Sequence, residues 1–387
     1  MSLFPKPIPS MAAALAMAII LPAAALLADL DPQLLMGAEK GDPAAQLEVA
    51  QAFDLGEGVD QDDAKALEWY GKAAENGSAI AMYTLGVIHD QGANGVEVDQ
   101  AKALEWYGKA AENGSASAMY NLGVIHDQGT NGVEVDHAEA VSWYSRAAGL
   151  GHAGAQFNLA VSYDEGEGVD IDEAKALEWY LKAAENDYDR AMLALGSIYA
   201  NGKNGVEPDE GEALRWYGMA AENGNASAMF NLALFHDRRG EAGDAESQRT
   251  ALEWYLKAAE NGSASAMYNL GIIHDNGDNG VEVDHAEAVS WYSMAAELGH
   301  PQAQFNLAVS YDEGEGVGID KEKAIHWYTQ SARQAHAPAQ FNLGISFLRG
   351  DGVKKDKRIA QYWLSKAAGQ GFEKAREVLA DEFGITE

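Results

Sequence analysis

Tryptophan occurs nine times in this chain, and every occurrence falls on one spacing: Trp69, Trp106, Trp143, Trp179, Trp216, Trp254, Trp291, Trp327 and Trp363. The gaps are 36 to 38 residues, and eight of the nine are followed by tyrosine, the ninth by Leu364. A fixed period of this length means a stack of supersecondary units, each too small to bury its own apolar face. Any fold with one central core is thereby excluded.

Residues 152–187 show what a unit is. Ala155, Leu159 and Tyr163 recur at four-residue intervals, one face of a helix. Gly166 and Gly168 break it, and Asp170 or Asp172 can cap the next helix through a side-chain oxygen. In that second helix Ala176, Trp179, Tyr180, Ala183 and Ala184 make a wide apolar stripe. Gly77, Gly114, Gly224 and Gly262 follow the equivalent stripes, where a left-handed residue is expected, and Asp187 takes that place here. Each unit therefore reads as helix–loop–helix, with small alanines letting helices approach and each Trp in the core, filling gaps between units.

The period varies for a local reason. Units 2, 3, 5 and 7 carry one extra loop residue, as in 92–95 against 166–168, and unit 6 replaces the Gly-x-Gly-Val loop by an irregular segment, 236–250. A longer repeat lies over the short one. Residues 115–180 and 263–328 agree at about 54 of 66 positions, an offset of 148, so a four-unit block was duplicated.

The pattern resembles the Sel-1-like repeat family, a branch of the tetratricopeptide-like solenoids, almost letter for letter from Ala155 to Ala184. The resemblance implies an all-α, right-handed solenoid of nine repeats over 42–371: 42–77, 78–114, 115–151, 152–187, 188–224, 225–262, 263–299, 300–335 and 336–371. Residues 29–41 read as an N-terminal capping half-repeat and 372–387 as a closing helix. It also implies a non-catalytic adaptor that binds a protein or peptide along a concave face, as a monomer and without a cofactor. The competing class is a cell-wall-directed enzyme, since cysteine-rich relatives have been described as binding or hydrolysing β-lactams. This chain has no cysteine, which weakens that transfer and removes disulfides and thiolate chemistry.

Charge narrows the partner. Against 27 Lys and Arg stand 60 Asp and Glu, a formal net of -33. Such a field repels phosphates and anionic lipid, so neither nucleic acid nor a membrane surface is expected as partner. Residues 320–387 are the exception, with 11 basic against 9 acidic residues. At the other end Lys6 precedes an uncharged apolar run, residues 11–27, ending near an Ala-x-Ala site at Ala23 and Ala25. Residues 1–28 thus read as a secretory signal or an N-terminal anchor. The rest is expected to be exported, to the periplasm, cell envelope or medium.

Four features could carry more than packing. His89, His126, His236 and His274 each precede an aspartate, but in register they match Tyr163, Tyr199, Tyr311, Phe53 and Phe347, a ring-packing slot. The loop from Asp275 fails as a calcium loop, with Gly277 and Ala286 where ligands should stand; no metal site is expected. Asp136 with Glu139 and Asp284 with Glu287 read as capping boxes. Asn121, Asn158, Asn231, Asn269, Asn306 and Asn342 recur once per unit, a ladder whose amides could hold an extended peptide or satisfy local backbone. Arg238, Arg239 and Arg249 in the irregular segment, and Lys354, Lys355, Lys357 and Arg358 in unit 9, are candidate contacts for an acidic partner.

Overall fold

The computed structural model describes residues 30–241 and 243–385. The signal or anchor expected at 1–28 lies outside them. Among the described residues there are twenty α-helices and no strand, and no helix is long and apolar enough to cross a membrane. The chain is an all-α solenoid of nine helix–loop–helix repeats.

It forms two compact units, residues 1–191 and 192–387. In the first, helix Pro32–Glu39 covers the open end of the pairs Pro43–Leu55 with Asp63–Glu75, Ala79–Gln91 with Gln100–Glu112, Ala116–Gln128 with His137–Gly149, and Ala153–Glu165 with Glu173–Glu185. Helix Asp189–Asn201 follows in the chain. The second continues through Glu210–Glu222 and the pairs Ala226–Glu241 with Ala245–Glu260, Ala264–Asn276 with His285–Glu297, Pro301–Glu313 with Lys321–Arg333, and Ala337–Arg349 with Lys357–Gly369. Helix Glu373–Phe383 closes it. Within each unit a repeat's first helix packs on its second, and that second helix packs on the first helix of the following repeat.

The caps follow the sequence closely. Asp172 accepts a hydrogen bond from the Lys175 amide at 3.0 Å, and Asp62, Asp99, Asp136, Asp209, Asp284, Asp320 and Asp356 cap the other second helices in the same way. Gly77, Gly114, Gly224 and Gly262 have φ between 83° and 93°, and Asp187 stands at 57° in the same left-handed conformation. The capping boxes at Asp136 and Asp284 are only half made. Both carboxylates accept amides of the first turn, but their own N–H groups donate to the carbonyls of His126 and His274 at 2.8 Å. The ring-slot residue thus fastens the loop by its backbone while its ring packs.

The tryptophans do not occupy the centre. Trp216 is buried, but the other eight are half-buried, whereas the tyrosine after them is nearly inaccessible: Tyr107 and Tyr292 at 1%, Tyr255 at 0%. One residue turns about 100° on a helix, so only one of two adjacent rings can point at the core. The smaller ring fits there because the facing helix offers glycine or alanine. A Cβ on Gly86 would come within 2.6 Å of the Tyr107 ring. The indoles of Trp69, Trp106, Trp143, Trp179 and Trp254 lie instead under cations: Lys72 Nζ sits 3.9 Å from the Trp69 ring centre, and Lys182 3.9 Å from that of Trp179.

Unit 6 also departs from expectation. Its helices, Ala226–Glu241 and Ala245–Glu260, are 16 residues each where neighbours have 13, so most of 236–250 is helical. Gln248 Nε2 donates to the Gly240 carbonyl at 3.2 Å, and Asp244 caps the second helix.

First helices are capped by Ser78, Ser115 and Ser263, but by His152 and His300 in the two copies of unit 4. His152 Nδ1 accepts the Ala155 amide at 3.1 Å and His300 Nδ1 that of Ala303 at 3.3 Å, so both rings must be neutral there. Burial pushes both ring pKa values below the ordinary value. A folded value below the unfolded one means stability complete above about pH 6.5 and lost as pH falls through that region. His285 works in the opposite sense, since its bond to Asp275 raises its ring. The double change His152→Ser, His300→Ser should isolate the caps. It should shrink the fall in melting temperature between pH 7.5 and 5.5. An unchanged fall would show that other groups cause it.

Candidate functional site

The most regular polar feature is a hydrogen-bonded relay that joins repeats. At its hub is the aspartate one residue beyond the ring slot. Asp54, Asp237 and Asp275 accept through Oδ2 from the hydroxyls of Tyr70, Tyr255 and Tyr292 at 3.0, 3.1 and 3.2 Å. The same hydroxyl accepts from the next repeat: Asn269 Nδ2 donates to Tyr255 at 3.1 Å and Asn342 to Tyr328 at 3.1 Å. Asn121, Asn158, Asn231 and Asn306 lie beside the hydroxyls of Tyr107, Tyr144, Tyr217 and Tyr292. The structure therefore brings all six candidate asparagines to one kind of place, half-buried and engaged with the preceding repeat rather than with their own backbone. Any peptide bound along this ladder would meet amides already held in position.

The other oxygen of the hub depends on loop length. In long-loop repeats the extra residue is an asparagine in the left-handed conformation: Asn94, Asn131, Asn204 and Asn279, φ 52–54°. Asn94 Nδ2 reaches back to Asp54 Oδ1 at 2.7 Å, Asn131 to Asp90 at 2.7 Å and Asn279 to Asp237 at 2.9 Å. Units 4 and 8 have the short loop and a glutamate tip, Glu167 or Glu315. The oxygen is then taken from within its own repeat: His137 Nδ1 lies 2.9 Å from Asp127 Oδ1, and His285 Nδ1 2.7 Å from Asp275 Oδ1. Before unit 9 Lys321 does the same, 2.5 Å from Asp312 Oδ1. The sequence gives a signal for this, since histidine at that place accompanies a short loop in the following repeat.

Unit 9 tests the logic. Leu348 replaces the hub aspartate and Leu364 the tyrosine, both buried, so the two polar partners disappear together. Asp237→Ala should cost about 1–3 kcal/mol by stranding Tyr255 and Asn279. Adding Tyr255→Leu to an Asp237→Leu chain should recover part of the loss, and a double-mutant cycle on melting measures the coupling.

Arg238 and Arg239 are exposed on the last turn of helix Ala226–Glu241, where cations are favourable to the helix dipole, and Arg239 stacks 5.4 Å from the Phe235 ring. Arg249 is exposed within helix Ala245–Glu260. In unit 9 Lys354, Lys355, Lys357 and Arg358 are exposed, Lys357 pairing with Glu382 at 3.4 Å.

The repeat frame is matched by a known family. The model of the Sel1 repeat matches nine times, at residues 43–78, 79–115, 116–152, 153–188, 189–225, 226–263, 264–300, 301–336 and 337–372. The chain belongs to the Sel1 repeat family. Among solved structures it is similar to a Sel1 repeat protein from Oxalobacter formigenes, with 30% identity over 94% of this chain and 98% of that one and a TM-score of 0.62. It is also similar to c5321 of Escherichia coli, described as a protective antigen of uropathogenic strains displaying an SLR fold. That match has 35% identity over 91% of this chain and 83% of that one, with a TM-score of 0.53. No curated protein matches the chain. Sel1 repeat proteins are generally non-catalytic scaffolds for protein interaction.

Proposed function

We propose that this Sel1 repeat chain is an exported scaffold that binds a protein partner through its repeated helical surface, without catalysis of its own. One observation carries the reading. Most of the repeats share a frame of buried alanine and tyrosine with a half-buried aspartate beside it, and they differ at exposed positions such as Glu178 and His326. That is how a solenoid presents a long surface for recognition. The apolar run of residues 11–27, read as a secretory signal or an N-terminal anchor, supports export to the periplasm, the envelope or the medium. A partner with a basic face suits the net of -33. The asparagine ladder and the arginines of unit 6 are the contacts we assign to it.

The test begins by capturing partners from an envelope extract on residues 29–387. Affinity for the captured protein is then measured from low to high salt, with the native chain and with Arg238, Arg239 and Arg249 changed to Ser. A basic partner released as the screening length falls below about 8 Å supports the reading. An acidic partner, or affinity indifferent to salt, overturns the proposed charge complementarity, and unchanged affinity in the Ser variant removes the arginines from the contact set.

A further inference from the structure

Two small clusters recur 148 residues apart, one inside each compact unit. In the first, Asp127, His137 and Glu167 bring one nitrogen and two carboxylate oxygens within 4.8 Å of one another. In the second, His285 Nδ1 lies 2.7 Å from Asp275 Oδ1 and its Nε2 lies 3.3 Å from Glu315 Oε1. Each cluster joins two repeats, with Asp and His on one and Glu on the tip of the next. Glu165 adds a further carboxyl beside the first, pushed above its ordinary value by burial and by the charges of Glu167, Asp164 and Asp127.

At both histidine junctions the aspartate takes the Nδ1 edge of the ring, and in the second cluster the Nε2 edge faces Glu315 Oε1. The third short-loop junction differs at one place. Lys321 replaces the histidine before unit 9, and its ammonium pairs with Asp312.

We propose that each histidine cluster binds a divalent transition-metal ion of the zinc or nickel class, with His137 and Glu167 as ligands in one unit and His285 and Glu315 in the other. Metal–nitrogen and metal–oxygen bonds of about 2.1 Å at a tetrahedral angle set the donors about 3.4 Å apart, close to the 3.3 Å between His285 Nε2 and Glu315 Oε1 in the second cluster. Asp127 and Asp275 hold the rings through Nδ1, the carboxylate–histidine–metal arrangement that fixes the tautomer and raises ligand basicity. Imidazole selects against calcium and magnesium, which prefer oxygen alone. The cluster side chains are partly open to solvent, His137 at 40% and Glu315 at 54%, which gives an ion a route in and leaves further positions to water. Such an ion would clip consecutive repeats together where the asparagine clip is missing.

The test is calorimetric titration of the full chain, freed of metal, with zinc chloride and with nickel chloride at pH 7.5, and with calcium chloride for comparison. Two equivalents of zinc or nickel should bind. Glu167→Gln and Glu315→Gln, both at exposed loop tips that leave the frame intact, should each remove one equivalent or weaken it at least tenfold, and together abolish uptake. His137→Lys and His285→Lys, which copy Lys321, should do likewise while keeping the melting temperature. Cobalt absorption bands should appear in the native chain and vanish in the double glutamine variant. Absence of saturable uptake, uptake unchanged in the double variants, or equal binding of calcium would overturn the proposal. So would histidine resonances showing both rings protonated at pH 7.5 with no metal effect, since an imidazolium has no free lone pair to ligate an ion.

Discussion

Tyr255→Ala should cost about 3–5 kcal/mol, the range for large aromatic side chains removed from a core. Trp254→Ala should cost less than half of that. Tyr255 is fully inaccessible, and its loss opens a cavity and strands Asp237 and Asn269. Trp254 is half-buried and shares its ring with Lys257 at 4.2 Å, so solvent replaces part of what is lost. Stability in a repeat array is mostly a sum of local terms, so the damage should be confined to unit 6 and its neighbours. Hydrogen exchange resolved by segment would show this as lost protection in 226–275. Equal costs for the two substitutions would return tryptophan to the centre of the frame.

The second large effect is expected at a glycine. Gly168 sits at φ 73°, and a Cβ there would overlap the carbonyl oxygen and carbon of His137. Gly316 stands in the same relation to His285. Both obstacles are backbone atoms at the start of a helix, which cannot swing aside as a side chain can. Gly168→Ala should therefore cost about 3 kcal/mol or more, combining about 1–2 kcal/mol for the left-handed conformation with displacement of the loop. Gly95→Ala makes a control, with φ 72° and open space around it, and should pay the conformational part alone. Denaturant unfolding of the three chains checks this; similar midpoints for both alanine variants would mean the loop yields freely.

Helix positions, caps and left-handed stops were legible because each depends on a few neighbouring residues. Asp172, Gly77 and even Asp187 could be assigned from local chemistry. The choice between Trp179 and Tyr180 could not, since both lie on one apolar stripe and only the facing glycine or alanine decides which ring fits. The role of the asparagines was hidden for a different reason. Asn269 and Tyr255 are 14 residues apart, and Asn279 and Asp237 are 42 apart; a helical period says nothing about which hydroxyl or carboxylate comes opposite. His137 was masked by a nearer explanation, the capping aspartate beside it. The irregular segment of unit 6 was misread because a missing Gly-x-Gly turn suggests a loop, whereas an extra helical turn on each side closes the gap as well.

The relay also sets rules of succession. A repeat whose loop carries the asparagine requires an aspartate on its predecessor; a repeat with the short loop and an acidic tip, Glu167, Glu315 or Asp351, has a histidine or lysine there. Repeats are therefore not freely interchangeable, and cutting out or inserting one at random would leave a donor or acceptor without its mate. The duplicated stretch obeys this grammar at its start. Its two copies open with repeats carrying Asn131 and Asn279, and each finds an aspartate waiting, Asp90 in one case and Asp237 in the other. Lengthening this protein without penalty thus means copying whole phrases whose edges rhyme, and the chain's own history reads as one such copy.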